Sequence, residues 1–189
     1  MKKLLLIVSV SFLMNNSLAS DMKGLVKLSA DFGGEKLITV PFTDGSTADV
    51  EAGQGLLIGG GGEVNVLPNM LIKATAAFKY TSAGLANNGS VTWTRVPIDI
   101  IALYRLDKLK VGGGISYSLN NSLKGSGVAS GVDSDFDNAL GYTAILEYAI
   151  SEKYSASVQY TLMEFKESVS GTTVDGNNFG IGFNWYFMP

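Results

Sequence analysis

Large apolar and small polar residues alternate along most of this chain, nowhere more clearly than from Asn178 to Phe187. Phe179, Ile181, Phe183, Trp185 and Phe187 fall on one face, and Gly180, Gly182, Asn184 and Tyr186 on the other. A period of two is that of a strand, whose successive side chains point to opposite sides. Five large apolar groups backed by glycine and asparagine fit a strand whose bulky face meets lipid and whose small face lines a barrel.

Seven earlier stretches repeat the pattern. The first runs from Met22 to Phe32 and sets Lys27, Ser29 and Asp31 against Val26, Leu28, Ala30 and Phe32. The second, Leu56 to Val66, turns Glu63 and Asn65 inward. The third follows the tight turn Leu67-Pro-Asn69 and opposes Lys73, Thr75 and Lys79 to Ile72, Ala74, Ala76, Phe78 and Tyr80. The fourth, Thr92 to Leu106, places Arg95, Asp99 and Arg105 inside. The fifth opposes Gly112, Gly114, Ser116 and Ser118 to Val111, Ile115, Tyr117 and Leu119. The sixth turns Thr143 and Glu147 inward, and the seventh Ser155, Ser157, Gln159 and Thr161.

The connections alternate in length. Those at Leu67–Asn69, Asp107–Lys108 and Ser151–Lys153 are short. The others are long: a segment with its own hairpin around Thr43–Ser46, then Ser82–Ser90, Asn120–Asn138 and Glu167–Gly176. This predicts an all-β fold: an eight-stranded antiparallel up-and-down transmembrane β-barrel with short periplasmic turns and long extracellular loops. Tyr104, Tyr148, Tyr154 and Trp185 would form the lower aromatic girdle, and Phe32, Tyr80, Tyr142, Tyr160 and Phe179 the upper one. A soluble eight-stranded barrel would have an apolar interior; here the inward positions are read as Lys, Glu, Asp, Arg, Ser, Thr and Gly.

The N-terminus changes the picture in one respect. Lys2 and Lys3, the apolar run Leu4–Met14 and the small residues of Ser17-Leu-Ala19 predict a secretory signal over residues 1–19, cleaved to leave a barrel domain of residues 20–189. The run is shorter than the ~20 residues a helical span needs. The length of 189 residues suits one domain, and the absence of cysteine and histidine leaves no disulfide and no Cys/His metal site. A net charge of −3 gives no electrostatic footprint for nucleic acid.

The alternating aromatic strand that ends on Phe187 resembles the terminal strand of Gram-negative outer-membrane β-barrels, and the whole pattern resembles their small eight-stranded class, OmpA- or OmpX-like. The resemblance implies that Phe179, Ile181, Phe183, Trp185 and Phe187 are the signal read by the barrel-assembly machinery. Here Met188 and Pro189 follow the final aromatic. It also implies a monomer in the outer membrane, in contact with membrane lipid and lipopolysaccharide, escorted during biogenesis by periplasmic chaperones, with no cofactor.

Candidate chemistry is sparse. Gly59–Gly62 lacks the Lys-Ser/Thr of a phosphate loop and no helical pattern follows it. Asp133, Asp135 and Asp137 have the spacing of a calcium loop, but Asn138 and Ala144 stand where its glycine and bidentate glutamate belong. Lipid-modifying barrels use histidine, which this chain lacks. Register estimates place Glu63 across from Lys73, and Asp99 on the other side of Lys73, giving a lumen cluster of one lysine between two carboxylates. The expected function is that of a non-enzymatic membrane anchor with adhesive, structural or receptor loops. A small pore or hydrophobic-solute channel is the alternative, and a lipid-modifying enzyme is a third reading.

Overall fold

The structure is a computed structural model and describes residues 22–41, 47–85 and 89–187. The segment 1–19 expected as a signal peptide, the turn expected at Thr43–Ser46, and Met188 and Pro189 lie outside them.

Eight long strands close into one antiparallel barrel: β1 (Met22–Phe32), β4 (Gly55–Leu67), β5 (Met70–Leu85), β6 (Gly89–Leu106), β7 (Leu109–Ser126), β9 (Ala139–Ala149), β10 (Tyr154–Leu162) and β13 (Asn178–Phe187). Each pairs with its neighbours in sequence, β1 pairs with β13 and β6 with β7, so no edge is left open. Closure is what lets strands cross lipid, because every backbone N–H and C=O then has a partner within the wall.

Side-chain facing follows the alternation. Leu28, Ile58, Phe78, Ile100, Leu146 and Ile181 are exposed on the outside, while Lys27, Glu63, Lys73, Asp99, Glu147 and Asn184 are buried inside. The girdles form rows: Phe32, Phe179 and Tyr160 stand side by side across three strands, as do Tyr154 and Trp185 across two. The interior is less uniformly polar than expected. Leu71, Ile101, Leu103 and Ile145 make an apolar cluster inside the wall. Gly112 and Gly114 face inward on β7, where a Cβ would run into the carbonyl oxygens of Ala102 and Ile100 on β6. The wall therefore bends tightly there only because both residues lack a side chain.

The loops differ most from expectation. β2 (Lys36–Pro41) and β3 (Thr47–Glu51) form the hairpin anticipated in the first loop. The segment Ser82–Ser90, expected as a long loop, is mostly strand: the β5–β6 ladder continues to Leu85 opposite Gly89. In Asn120–Asn138, β7 runs on to Ser126, a short 3-10 turn covers Gly127–Ala129, and β8 (Ser134–Phe136) folds back on β7. β11 (Glu164–Lys166) and β12 (Thr173–Asp175) make the last loop a hairpin. Asn120 adopts φ 52° at a register shift between β6 and β7. This bulge changes the facing, so that Ser118 and then Asn121 and Leu123 point inward.

Ala144 lies outward near the middle of β9, opposite Gly113 and Tyr160. Ala144→Arg is expected to cost ~2–4 kcal/mol in lipid vesicles, the cost of arginine on the lipid face near the bilayer midplane, whereas Ala144→Leu should cost little. Urea unfolding of the two variants in vesicles checks this; equal midpoints would contradict the facing.

Candidate functional site

Inward alternation brings four charges and one phenol to the axis from five strands. Toward the short-turn end, Glu63 on β4, Lys73 on β5, Lys110 on β7, Glu147 on β9 and Tyr186 on β13 form one network. Glu63 stands directly across from Lys73 in the ladder, with Lys73 Nζ 3.9 Å from its Oε2. Lys73 also donates to Glu147 across the lumen. Lys110 Nζ donates to both oxygens of Glu63, at 2.7 and 2.8 Å, and to Glu147 Oε1 at 3.1 Å. The Tyr186 hydroxyl lies 2.7 Å from Glu147 Oε1 and 3.1 Å from Glu63 Oε2, with one proton to share between them. Its ring carries Lys110 Nζ at 4.7 Å from the centroid. Two carboxylates and two ammoniums thus balance.

Asp99 does not belong to this group. The register sets Asp99 opposite Thr75, and Lys73 opposite Ile101. The ladder ends with Leu85 opposite Gly89, which displaces each partner by two residues from the register expected. Asp99 takes part in a second layer nearer the loops. Lys27 Nζ is 3.3 Å from Asp99 Oδ2 and donates to Gln159 Oε1 at 3.0 Å. Lys79 Nζ is 2.5 Å from Asp31 Oδ2.

Above this layer the loop end is roofed. Val50, Ala52, Val91, Trp93, Leu123, Phe136, Met163 and Phe165 pack into a buried apolar cluster. Trp93 meets Phe136 and Phe165 edge-on, with centroids at 5.0 and 5.6 Å. Wall side chains grip the three carbonyls that follow the first hairpin. Trp93 Nε1 donates to Ala52 O at 3.0 Å, Lys79 to Gly53 O at 2.6 Å and Thr81 to Gln54 O at 2.8 Å. Arg95 donates to both Ala52 O and Gln54 O. Backbone bonds then tie loop to loop: Glu35 N to Asp175 O, Asp137 N to Lys166 O and Ser168 N to Asp135 O.

The inward charges were visible in the alternation, but Lys110 fell just outside the strand expected for it, and Trp93 was unassigned although it shares the facing of Arg95. Asp133, Asp135 and Asp137 each accept a separate bond, from Gly125 N, Ser122 Oγ and Ser168 Oγ. Among the described residues no group of three potential ligands could hold a metal ion.

Chemically the lower lumen is a set of mutually neutralising ions. Removing Lys73 leaves Glu63 and Glu147 sharing Lys110 alone, so Lys73→Met is expected to destabilise by ~3–5 kcal/mol, the cost of breaking a buried pair by removing one partner. The double variant Lys73→Met/Glu147→Gln should recover part of that loss. Unfolding midpoints in vesicles measure both; no loss in the single variant would mean that lumen water screens the charges.

Ail, the attachment invasion locus protein of Yersinia pestis, superposes with a TM-score of 0.54 at 10% identity over 88% of this chain and 98% of its own. Neisserial surface protein A superposes with a TM-score of 0.55 at 10% identity over 88% of this chain and 97% of its own. No curated protein matches in sequence. Residues 5–187 match the outer membrane protein β-barrel domain, and the chain belongs to that family of outer-membrane barrels.

Proposed function

We propose that the protein is a non-conducting, non-enzymatic anchor in the outer membrane whose folded loops form a receptor or adhesive surface. One observation carries the reading: the lumen is blocked at two levels, by ion pairs below and by a packed apolar roof above. An eight-stranded barrel has an interior just wide enough for side chains to fill, and these side chains are committed to one another. A pore would need that network to part, and a lipid-modifying enzyme would need a base other than histidine. Signal-directed export, chaperone escort and reading of the Phe179–Phe187 aromatics by the assembly machinery complete this proposal.

The chemistry of the outer surface narrows the partner. Asp133, Asp135, Asp137, Glu164 and Asp175 are exposed around the last two loops, against Lys124 and Lys166. Lys124 lies 3.7 and 3.6 Å from Asp133 and Asp135. Hydrogen bonds from Ser122, then the charge of Lys124, hold Asp135 below the ordinary carboxylate range, and bonds from Ser170 do the same for Glu167. A carboxyl whose pKa is lowered keeps its charge further into acid, so Asp135 and Glu167 stay anionic where ordinary carboxylates have begun to protonate. Val169, at the tip between these acids, is 92% exposed. Ail was solved with the heparin analogue sucrose octasulfate, a polyanion; the surface here supports a cationic partner with an apolar contact instead.

Two measurements test the proposal on protein reconstituted in lipid. Planar-bilayer recording should show no stable open conductance. A basic amphipathic peptide should bind the parent, lose affinity as salt rises, and lose most of it in Asp133→Asn/Asp135→Asn/Asp137→Asn. A steady conductance in the parent would promote the pore reading, and equal binding by parent and triple variant would remove the acidic surface from the account.

A further inference from the structure

Between the two ionic layers and the roof lies an internal chamber of about 30 Å³, lined among others by Arg95, Asp99, Ser116, Thr161 and Asn178. Arg95 is 3% exposed and Asp99 4%. Two of their atoms, Arg95 Nε and Asp99 Oδ1, are buried without a hydrogen-bond partner among the described residues. One is a donor and the other an acceptor: a single water that accepts from Arg95 and donates to Asp99 would satisfy both, and so would an anion with a water beside it.

Charge separates the explanations. The lower network is neutral. The upper layer has three buried cations, Lys27, Lys79 and Arg95, and two buried carboxylates, Asp31 and Asp99. Lys79 takes Asp31 and Lys27 takes Asp99. Among the described residues no carboxylate forms an ion pair with Arg95. Its Nη atoms bond the Ala52 and Gln54 carbonyls, and its guanidinium lies 5.2 and 5.6 Å from the rings of Trp93 and Phe165. Carbonyls and ring faces offer partial negative charge but do not neutralise a buried cation, which is costly to leave uncompensated.

We propose that the chamber is a binding site for one small monovalent anion of halide size. The anion accepts the Arg95 Nε–H. A water beside it donates one O–H to the anion and the other to Asp99 Oδ1, so both unpartnered atoms are satisfied and the upper layer becomes neutral. The volume suits roughly two water-sized occupants, which excludes phosphate, sulfate and organic carboxylates.

The test uses the full barrel folded in phospholipid vesicles, unfolded by urea at constant ionic strength in sodium gluconate with increasing bromide. The midpoint should rise and saturate with bromide, and crystals grown in bromide should show an anomalous peak within hydrogen-bond reach of Arg95 Nε. Arg95→Met should abolish the bromide dependence. Asp99→Asn keeps Arg95 and removes a neighbouring negative charge, so it should tighten the apparent bromide affinity several-fold, the opposite of what a merely damaged lumen would do. Equal midpoints in bromide and gluconate, with no anomalous peak, would overturn the site and leave water as its occupant. An undiminished bromide effect in Arg95→Met would overturn it as a general salt effect. Should Arg95→Met not fold, the anomalous map and the direction of the Asp99→Asn shift decide.

Discussion

Glu147 has no exposed surface, and its two oxygens are met by Lys73, Lys110, Tyr186 and Asn184 from three other strands. A carboxylate held in that position can stay only if its partners are fixed to within hydrogen-bond reach, because desolvating an ion costs several kcal/mol that a loose pair does not return. That requirement reaches outward through the whole wall. β4, β5, β7, β9 and β13 must hold a common level so that Glu63, Lys73, Lys110, Glu147 and Tyr186 meet. A slip of one residue between any two would turn one member of the set to lipid. The apolar outer face sets which side of each strand looks inward, but it tolerates a shift of two residues with little change. The ion network does not, and it supplies the finer register.

The space left by that network decides what the remaining inward positions can be. Gly112 and Gly114 stand where β7 meets β6 too closely for a side chain, and Ser155, Ser157, Gly180 and Gly182 fill the facing part of the wall with little volume. Bulk gathers beside those glycines, as Leu71, Ile101, Leu103 and Ile145 in one cluster, and under the loops as the Trp93, Phe136 and Phe165 group. The roof is then fastened by donors rather than by apolar contact alone. Carbonyls 52–54 have no strand to pair with where they cross the mouth, and Trp93, Lys79, Thr81 and Arg95 take the place of one.

Facing was legible in the sequence wherever a strand keeps a strict period of two, as Asn178–Phe187 and Tyr154–Leu162 do. Register was legible only where the turn admits one geometry: Leu67-Pro-Asn69 is short enough that Glu63 falls opposite Lys73. Across Ser82–Ser90 the same reasoning placed Asp99 two residues out of register, because serine, glycine and asparagine read as a loop while they are strand up to Leu85 and from Gly89. Polar, small residues carry a turn signal of their own, and ladder hydrogen bonds with neighbouring strands overrode it here. The bulge at Asn120 had a weaker sign. Asparagine tolerates the left-handed region better than most residues, yet nothing in Leu119-Asn120-Asn121 distinguishes a bulge from the start of a loop, so Leu123 and the apolar roof it joins were not foreseen.

Contacts between sites far apart in sequence, such as Lys27 with Asp99 or Lys110 with Glu63, depend on strand tilt and on which inward residues reach the same level across the lumen. Neither quantity is written in a period of two. Charge balance gives a partial substitute. Inward positions on the expected strands carried both signs in similar number, and a narrow barrel cannot keep them apart. Arg95 is where that balance fails to close, since it lies at the boundary between the ionic layers and the roof and serves both. Its Nη atoms hold the loop that closes the mouth, while its charge belongs to the lumen. A single residue with two such duties couples the closure of the outer surface to the electrostatics of the interior.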